Sequence, residues 1–543
     1  MIPSVNGGFL AKRHPLLHAP TPLGVAMLEL LGMFVLALLP IIWLVVALCG
    51  LHMEAYKASV GALVVAVACA MLGWQMSAVN VATAALEGFA MAIWPIVIVI
   101  IAAVFTYNLT VHTGAMETIK HMLCSVSSDK RVLTLLIAWC FGAFLEGMAG
   151  FGTAVAIPAS MLVALGIQPV TAILACLIAN GVPTMFGSIG IPTTTLASIT
   201  GIDAIQLSTT QALQVFPFVI ACPILIVMLV GGGTRALKGA WPVTLVAGLS
   251  FALPEIAAAH FIGPALTDVV AAVCSLVITF AFALSQKGAQ VPEEHCLHGS
   301  LSDGGINETV AEDVRAWSPF ILIFVVLLLT SKLFPFINGP LSSIASTVNI
   351  YAGDPTATLT FTWINTPGVL IMLCGIVGGV IQKCPAPEML QVFRDTCKQM
   401  SKTVVTMLGV LACAKIMGYS GMIASIAAFF VGTLGAAYPV VAPLLGALGT
   451  FVTGSGTSSE VLFGNVQLQA ASSIGADSTW LVAANSLGIS AGKMLSPQNI
   501  AIGCAACGLV GKDGEILGKI AKYAFGFAIA MAALVFAGSL VLA

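Results

Sequence analysis

The segment FGAFLEGMAGFGT, residues 141–153, places four glycines inside an apolar stretch that runs from 132 to 166. A second stretch, 436–475, is interrupted in the same way by GTFVTGSGTSSE at 449–460. Glycine adopts backbone conformations that other residues avoid, so each cluster predicts a break in a helix. Non-helical backbone at membrane depth is tolerated where protein or a water-filled cavity surrounds it. We therefore interpret each stretch as two half-length helices that meet at a tip, which is a re-entrant hairpin.

The composition of the whole chain indicates that its solvent is lipid. Of 543 residues, 59% are apolar and 8% are charged, and the mean hydropathy is +1.06. A soluble domain carries about 25% charged residues. The net charge of −2 provides no basic surface for a nucleic acid. We expect a multi-pass membrane protein that contacts the lipid bilayer and binds no nucleic acid.

Twelve stretches are apolar and long enough to cross a bilayer, which takes about 20 residues. They are 23–50, 58–74, 89–111, 169–200, 211–231, 242–262, 265–285, 316–337, 366–382, 403–418, 479–510 and 520–543. Glycines and prolines interrupt 169–200 and 479–510, and we expect both to be broken helices.

The two halves of the chain repeat the same residues in the same order. Asn180 and Pro192 match Asn485 and Pro497 at an offset of 305, and GAF at 142 matches GTF at 449 at an offset of 307. Glycine and proline are common in membrane helices, which is the alternative explanation of any single match. Seven predicted spans separate corresponding elements, and an odd number inverts the second copy. Inverted repeats build secondary transporters, whose site lies at the midplane where broken helices meet.

The predicted fold is thus an all-α polytopic membrane protein, with about 12 transmembrane helices plus two re-entrant hairpins in two inverted-topology repeats. Its predicted parts are an N-terminal segment (1–22), the first repeat (23–231), connecting helices with a polar linker (232–315) and the second repeat (316–543). Lysines and arginines of the short loops gather on one side, fifteen against three, which places that side in the cytoplasm. Both termini then lie outside.

Four charged side chains stand out at membrane depth: Glu146, Lys415, Glu460 and Lys493. Charges at that depth are costly and functional by default. A carboxyl group partly out of water can take up and release a proton during a cycle, so Glu146 and Glu460 are the candidates for proton coupling. Lys493 is a candidate partner for a carboxylate of the substrate or the protein. The alternative is that these charges only hold the tips against neighbouring helices, and that Lys415 simply reaches the membrane interface. Four other acidic residues lie near predicted span ends and are expected to be solvated: Glu29, Glu87, Glu255 and Asp268.

The tips and breaks also supply candidate substrate-binding groups. The N-termini of half-helices offer unpaired N–H groups and a partial positive charge, which suit a carboxylate. Hydroxyl and amide side chains supply further donors that can bind a substrate hydroxyl. The candidate substrate-binding residues are Gly150, Gly152, Thr153, Asn180, Thr193, Thr194, Ser455, Thr457, Ser458, Ser459, Asn485, Lys493, Ser496 and Gln498. We expect no metal site, no cofactor and no catalytic group.

Four segments resemble the bacterial lactate permease family, which also includes glycolate permeases: FGAFLEGMAGFGTAVAI (141–157), GSIGIP (187–192), FVTGSGTSSEVLF (451–463) and LVAANSLGISAGKMLSPQNIAIGCAACGLVGK (481–512). The resemblance extends through nearly the whole membrane portion. It implies a proton-linked symporter for lactate, glycolate and similar 2-hydroxy acids in the bacterial cytoplasmic (inner) membrane.

The chain departs from the family pattern at three positions. Gly456 stands where the family has an acid, and Glu460 stands one helical turn later, where the family has asparagine. Lys415 stands where the family has an apolar residue. These changes lie near the proposed site, so the preferred 2-hydroxy acid stays open.

Three other classes of function compete with a proton symporter. A channel would need a continuous polar or carbonyl-lined path, and two closed tips disfavour it. A membrane enzyme would need clustered nucleophile, base or metal ligands, and the sequence has no H-E-x-x-H or Ser–His–Asp arrangement. A transporter of another carboxylate, or one coupled to sodium, stays open, as does a homodimer. A second carboxylate on the substrate would call for more cations than Lys493 and Lys415 offer.

Overall fold

The computed structural model describes residues 23–51, 53–124, 126–148, 150, 152–286, 291–296, 310–331, 333–509 and 512–542. The predicted N-terminal segment 1–22 and most of the predicted polar linker lie outside these ranges. Within them the chain forms 23 α-helices, short 3-10 and π-helical turns, and one sheet of two antiparallel strands. The predicted all-α membrane fold is confirmed, and the small sheet is an element that the sequence analysis did not predict.

Eleven α-helices precede residue 232. They are α1 (Leu23–Val45), α2 (Ala55–Leu72), α3 (Ala78–Met91), α4 (Ile98–His112), α5 (Ala115–Cys124), α6 (Lys130–Thr134), α7 (Gly142–Met148), α8 (Thr153–Ala164), α9 (Pro169–Gly181), α10 (Gly187–Thr200) and α11 (Ala204–Gly231). Between α3 and α4 the backbone is kinked at Trp94, before Pro95, because proline donates no N–H to the helical ladder. The predicted span 89–111 is therefore the later part of a helical segment that begins at Ala78.

The remaining helices and the sheet follow residue 240. The helices are α12 (Trp241–Phe261), α13 (Pro264–Ser285), α14 (Val310–Leu329), α15 (Pro335–Ser343), α16 (Pro367–Ile381), α17 (Ala386–Ser420), α18 (Met422–Leu434), α19 (Ala442–Thr453), α20 (Gly456–Ile474), α21 (Ser478–Leu495), α22 (Pro497–Ala506) and α23 (Asp513–Leu542). The strands are β1 (Ala345–Asn349) and β2 (Thr358–Thr362), which pair with Ala345 opposite Thr362.

Helix α17 is much longer than the predicted span 403–418, since it has 35 residues. Its first half is charged on the surface, and its buried residues Val392, Thr396 and Met400 recur at every fourth position. A search for uniformly apolar stretches misses such an amphipathic half. The apolar helix α18, which the sequence analysis did not predict, is separated from α17 by Gly421 in a left-handed conformation with φ of 97°.

Ten helical segments among the described residues are long and apolar enough to cross a bilayer, or eleven if the bent pair from Pro169 to Thr200 counts as one span. About twelve were predicted. Helix α16 has 15 residues and falls short of a span, whereas Met422–Val440 is a candidate span that the sequence analysis did not contain. The exact number of spans, the inverted repeat and the boundaries of its parts stay predictions.

The helices pack so that both predicted hairpins and both predicted broken helices lie together. Helix α10 packs on α20, and α21 packs on α9, α11 and α19. Helices α2, α3 and α4 instead pack on α16 and α17. Helix α17 also contacts α20, so it lies beside the group that contains the tips.

The contact between α19 and α21 depends on glycines that let the two backbones touch. A Cβ added at Gly446 would collide with the carbonyl oxygen of Asn485, and one added at Gly488 would collide with that of Pro443. Gly492 meets Ala447 in the same way. Small residues at every fourth position permit this close approach in membrane helices.

We expect the substitution Gly488→Ala to lower the thermal midpoint of the purified protein. The added methyl group meets backbone that cannot move alone, and overpacking of this kind costs about 1–3 kcal/mol. The matched control is Gly526→Ala on α23, where an added Cβ meets nothing within 4 Å. The control should melt at or slightly above the wild-type temperature, and equal midpoints for the two variants would contradict the packing argument.

Candidate functional site

Glycines turn the chain at two tips. The first tip is the turn between α7 and α8, where Gly150 and Gly152 have φ of 60° and 85°. The second tip is the turn between α19 and α20, where Gly454 has φ of 70°. Residues with a Cβ rarely adopt such values, so each glycine cluster ends one helix and allows the next to begin. Whether the tips are re-entrant in a membrane stays a prediction.

Two breaks interrupt the helices that follow the tips. In the first break Ser188, Ile189 and Gly190 all have positive φ. Shortly before it, the helical segments Pro169–Gly181 and Pro183–Thr200 meet at 53°. Positive φ is costly for the serine and the isoleucine. The second break is Ser496, which is extended with ψ of 120°, because the residue before a proline avoids the helical region.

Each tip contacts the broken helix of the other half of the chain. A Cβ added at Gly152 would lie 2.5 Å from Cδ1 of Ile502 on α22. One added at Gly456 would lie 3.2 Å from Cγ2 of Thr184, just before the first break. Each tip is therefore packed against the half of the chain that contains the other tip.

A cavity of about 260 Å³, here called the central cavity, lies between the second tip, the first break, the start of α22 and α17, and Glu146 of α7 also lines it. An adjoining cavity of about 400 Å³ shares Thr403, Thr406 and Gln498 with it and extends to Lys402. Lys402 pairs with Glu54 at 2.8 Å, and both side chains are largely exposed. The central cavity is thus reached from the end of the molecule where α17 is amphipathic.

Lys493 and Glu146 form a buried ion pair in the wall of the central cavity. The Lys493 Nζ lies 3.7 Å from Glu146 Oε1, and the side chains are 6% and 4% exposed. Within the described residues the Lys493 ammonium donates no hydrogen bond, so its three N–H groups are available to a ligand. Gln498 and Asn499 line the same cavity at the start of α22, and the Nδ2 of Asn499 has no partner among the described residues.

The two candidate proton carriers have matching contacts in the two halves. Asn180 Nδ2 donates to Glu146 Oε2 at 2.7 Å, and Asn485 Nδ2 donates to Glu460 Oε2 at 2.8 Å. In each half an asparagine of the broken helix thus holds a carboxyl group of the hairpin. Glu146 faces the central cavity, whereas Glu460 is fully buried and does not line it.

Glu460 is the end of a hydrogen-bonded chain that crosses between the halves. The Ser486 hydroxyl donates to Glu460 Oε1 at 2.5 Å, and Gln211 Nε2 donates to Ser486 Oγ at 2.5 Å. The Thr193 hydroxyl lies 2.8 Å from Gln211 Oε1 and 2.8 Å from the carbonyl oxygen of Met185, and it can donate its one proton to either acceptor. Thr193 therefore belongs to this series of hydrogen bonds, and it does not line the central cavity.

The structure places the predicted site residues in three positions. Those that line the central cavity are Glu146, Ser455, Thr457, Lys493 and Gln498. Those that bond within or between the hairpins and broken helices are Thr153, Asn180, Thr193, Thr194, Ser459, Asn485 and Glu460. Gly150 and Gly152 form the first tip, and the hydroxyl groups of Ser458 and Ser496 are buried without a partner among the described residues.

Several lining residues were absent from the predicted site. Thr403 and Thr406 come from α17, and nothing in the sequence connects this helix with the tips. Asn499 and Ser188 lie inside the motifs that the sequence analysis quoted, so their proximity to the breaks could have included them.

The expectation that Glu87, Glu255 and Asp268 are solvated is wrong. All three are at most 3% exposed. The carboxyl groups of Glu255 and Asp268 have no hydrogen-bond partner among the described residues. Hydropathy placed them near span ends, but α13 packs on α7, and a Cβ added at Gly147 would lie 2.8 Å from Asp268 Oδ2.

Glu87 forms an ion pair that the sequence did not reveal. Its Oε1 lies 2.6 Å from Lys415 Nζ, and the Tyr419 hydroxyl lies 2.9 and 3.0 Å from its two oxygens. Lys415 therefore has a partner inside the protein. The side chain of Glu29, the fourth residue of this group, lies outside the described part of the chain.

In the described part of the chain, one group of residues could hold a metal ion by the spacing of its ligand atoms: His112, Cys384 and Glu388. His112 Nε2 lies 2.9 Å from Glu388 Oε2, and this hydrogen bond explains the proximity without an ion. The central cavity has no such group among these residues, and its polar groups suit an organic anion.

Comparison with known proteins decides the family. The family model described as L-lactate permease matches residues 33–542. The chain belongs to the L-lactate permease family. Together with the ten or eleven candidate membrane spans among the described residues, membership of this family makes the chain a multi-pass protein of the bacterial inner membrane. The predicted localisation is confirmed.

Curated members of the L-lactate permease family match over most of their length. The L-lactate permease of Streptococcus iniae is 42% identical over 450 residues, which are 83% of this chain and 93% of that protein. The L-lactate permease of Escherichia coli (strain K12) is 35% identical over 515 residues, 91% of this chain and 93% of that protein. The glycolate permease GlcA of the same strain is 34% identical over 526 residues, again 91% and 93%.

Two solved transporters have a distant likeness to this family member. The YdaH transporter of Alcanivorax borkumensis is 14% identical with a TM-score of 0.46, over 83% of this chain and 86% of that one. MtrF of Neisseria gonorrhoeae is 16% identical with a TM-score of 0.46, over 86% and 85%. At these values the likeness carries no argument about this chain.

Proposed function

We propose that this protein carries lactate, glycolate or a similar 2-hydroxy monocarboxylate across the membrane together with protons. The observation that supports it most is Lys493, whose buried ammonium faces the central cavity with its N–H donors unused. Hydrogen bonds from an ammonium to a carboxylate are about twice as strong as neutral ones. The names of the relatives, L-lactate permease and glycolate permease, support the same substrate class.

The groups around Lys493 are suited to a small 2-hydroxy acid. The N-terminus of α20 lies at the cavity, and the first N–H groups of a helix have no intrahelical partner. The side chains of Thr457 and Gln498 offer donors and acceptors for a hydroxyl group. Since Lys493 is the one cation among the residues that line this cavity, a substrate with one carboxylate is matched better than a dicarboxylate.

Charge balance in the cavity supports the coupling to protons. Lys493 and Glu146 neutralise one another in their ion pair. An anion that binds to Lys493 adds one negative charge, which is costly in an interior of low dielectric constant. A proton taken up by Glu146 removes that excess, so one proton per anion keeps the cavity neutral. Glu460 is the second candidate carrier, since it is equally buried but lies behind the second tip.

Uptake of labelled lactate and glycolate into proteoliposomes tests this function. We expect a pH gradient, acid on the side of the substrate, to drive accumulation, and a protonophore to abolish it. Acetate, which lacks the hydroxyl group, and malate, which has a second carboxylate, should compete more weakly than lactate. Accumulation that needs sodium and ignores the pH gradient would contradict proton coupling and would favour the sodium-coupled alternative.

A further inference from the structure

A second cavity of about 260 Å³ contains Lys415 and lies apart from the central cavity. We propose that this Lys415 cavity is a second binding site for a small monocarboxylate, further along α17 and α20 than the central cavity. The inference rests on the proposed function for the identity of the anion. Its volume is far above the roughly 10–15 Å³ that a single water needs.

Three helices pass the two cavities in the same order. On α17, Met407 lines the central cavity and Lys415 lines the second one. On α20, Thr457 lines the central cavity and Asn465 the second. Lys415 and Asn465 thus lie about 12 Å along their helices from these residues, and the nearest lining residues of the second cavity, Leu411 and Val461, lie about 6 Å from them.

Helix α10 agrees with this order, since Pro192 lines the central cavity and Ile199 the other. The two cavities share no lining residue among those described. The protein therefore separates them in this conformation, although both lie along the same three helices. Such an arrangement suits two stations of one path rather than two unrelated pockets.

The polar groups of the Lys415 cavity suit a carboxylate. The Lys415 side chain is 21% exposed, whereas that of its partner Glu87 is 4% exposed. The ammonium has three N–H donors, and the described structure uses one of them, on Glu87. The amide side chains of Asn465 and Gln469 line the same cavity.

Glu87 can remain satisfied when Lys415 turns toward an anion. The Tyr419 hydroxyl contacts both oxygens of Glu87, and the Tyr419 ring is stacked on that of Tyr351 at 3.8 Å between centroids. The tyrosine is thus fixed in place and keeps a donor on the carboxylate. Because Lys415 and Glu87 together are neutral, this site holds an anion through N–H groups rather than through net charge.

Transport measured from each face of the membrane tests the proposal. By the predicted orientation, the amphipathic end of α17 is cytoplasmic and the Lys415 cavity faces outside. In right-side-out vesicles we expect Lys415→Ala to raise the KM for lactate about tenfold, the loss of one charge-assisted hydrogen bond. In inside-out vesicles its KM should stay at the wild-type value, and Lys415→Arg should restore the first defect.

Two further variants separate binding from structure. Gln469→Ala removes a polar group of the cavity without touching the pair with Glu87, and it should raise KM in the same vesicles to a smaller extent. Lys398→Ala lies on the exposed surface of the same helix, where its side chain is 83% exposed, and should change nothing. Equal effects of Lys415→Ala in both vesicle orientations would overturn the proposal, since a structural role acts on both directions.

Equilibrium binding of labelled lactate to the purified protein distinguishes this proposal from the proposed function. We expect two sites per chain in the wild type, one in Lys493→Ala and none in the double variant with Lys415→Ala. If Lys493→Ala alone abolishes all lactate binding, the proposal of a second site is wrong. The proposed transport function is not contradicted by that result. Binding that depends on Lys415 in a protein that transports no lactate would sustain this site and overturn the function.

Discussion

Replacement of Lys493 by alanine should nearly abolish lactate uptake. The substitution removes the buried cation that we propose as the anchor of the substrate and leaves Glu146 without its partner. Truncation of one member of a buried charge pair costs about 2–5 kcal/mol. Since every 1.4 kcal/mol is tenfold, kcat/KM should fall by roughly 30- to 4,000-fold. Initial rates of labelled lactate uptake into proteoliposomes measure the change.

The control for this variant is Lys519→Ala on α23. Lys519 also pairs with a glutamate, Glu515 at 2.6 Å, but both side chains are nearly half exposed. Exposed pairs contribute about 0–1 kcal/mol, so uptake should change little. Lys493→Met keeps the length of the side chain and shows whether lost packing explains a fall in the thermal midpoint. Wild-type kcat/KM in Lys493→Ala would place the anion elsewhere.

Glu146→Gln should separate movement of substrate from movement of protons. The amide is neutral, like a protonated carboxyl group, and its oxygen can still accept from Asn180. We therefore expect exchange of labelled for unlabelled lactate to continue, while accumulation driven by a pH gradient disappears. In the wild type one pH unit supplies about 1.4 kcal/mol, a tenfold concentration ratio for one proton. Counterflow and gradient-driven uptake in the same proteoliposomes measure the two activities.

Glu117→Gln provides the matched control, because Glu117 also pairs with a lysine but its side chain is 66% exposed. This variant should accumulate lactate as the wild type does. If Glu146→Gln still concentrates lactate against its gradient, Glu146 is not the coupling group. Glu460→Gln then becomes the next variant to measure.

The tips and breaks could be predicted because they are encoded locally. Gly150, Gly152 and Gly454 take backbone angles that few residues besides glycine adopt, and Pro497 excludes a helical conformation at Ser496. The pairing of Lys493 with a carboxylate followed from the cost of a charge at membrane depth. The tips and breaks depend on a few neighbouring residues, so they can be predicted directly from the amino-acid sequence.

The remaining features depend on residues far apart in the chain. Lys415 and Glu87 are separated by 328 positions, and burial of the glutamate follows from helix packing rather than from local hydropathy. Thr403 and Thr406 carry no motif and reach the central cavity only because α17 lies beside the tips. The amphipathic half of α17 was missed for another reason, since its exposed charges resemble those of a loop.

The chain of hydrogen bonds from Thr193 to Glu460 has a direction. When the Thr193 hydroxyl donates to Gln211 rather than to the Met185 carbonyl oxygen, each donor from Thr193 to Ser486 points toward the carboxyl group, so the dipoles are aligned head to tail. A proton added to Glu460 would favour the opposite alignment, with the Ser486 hydroxyl turned away and the Gln211 amide reversed. Protonation of Glu460 in the second half of the molecule would then change side-chain orientations in the first half, without movement of the backbone.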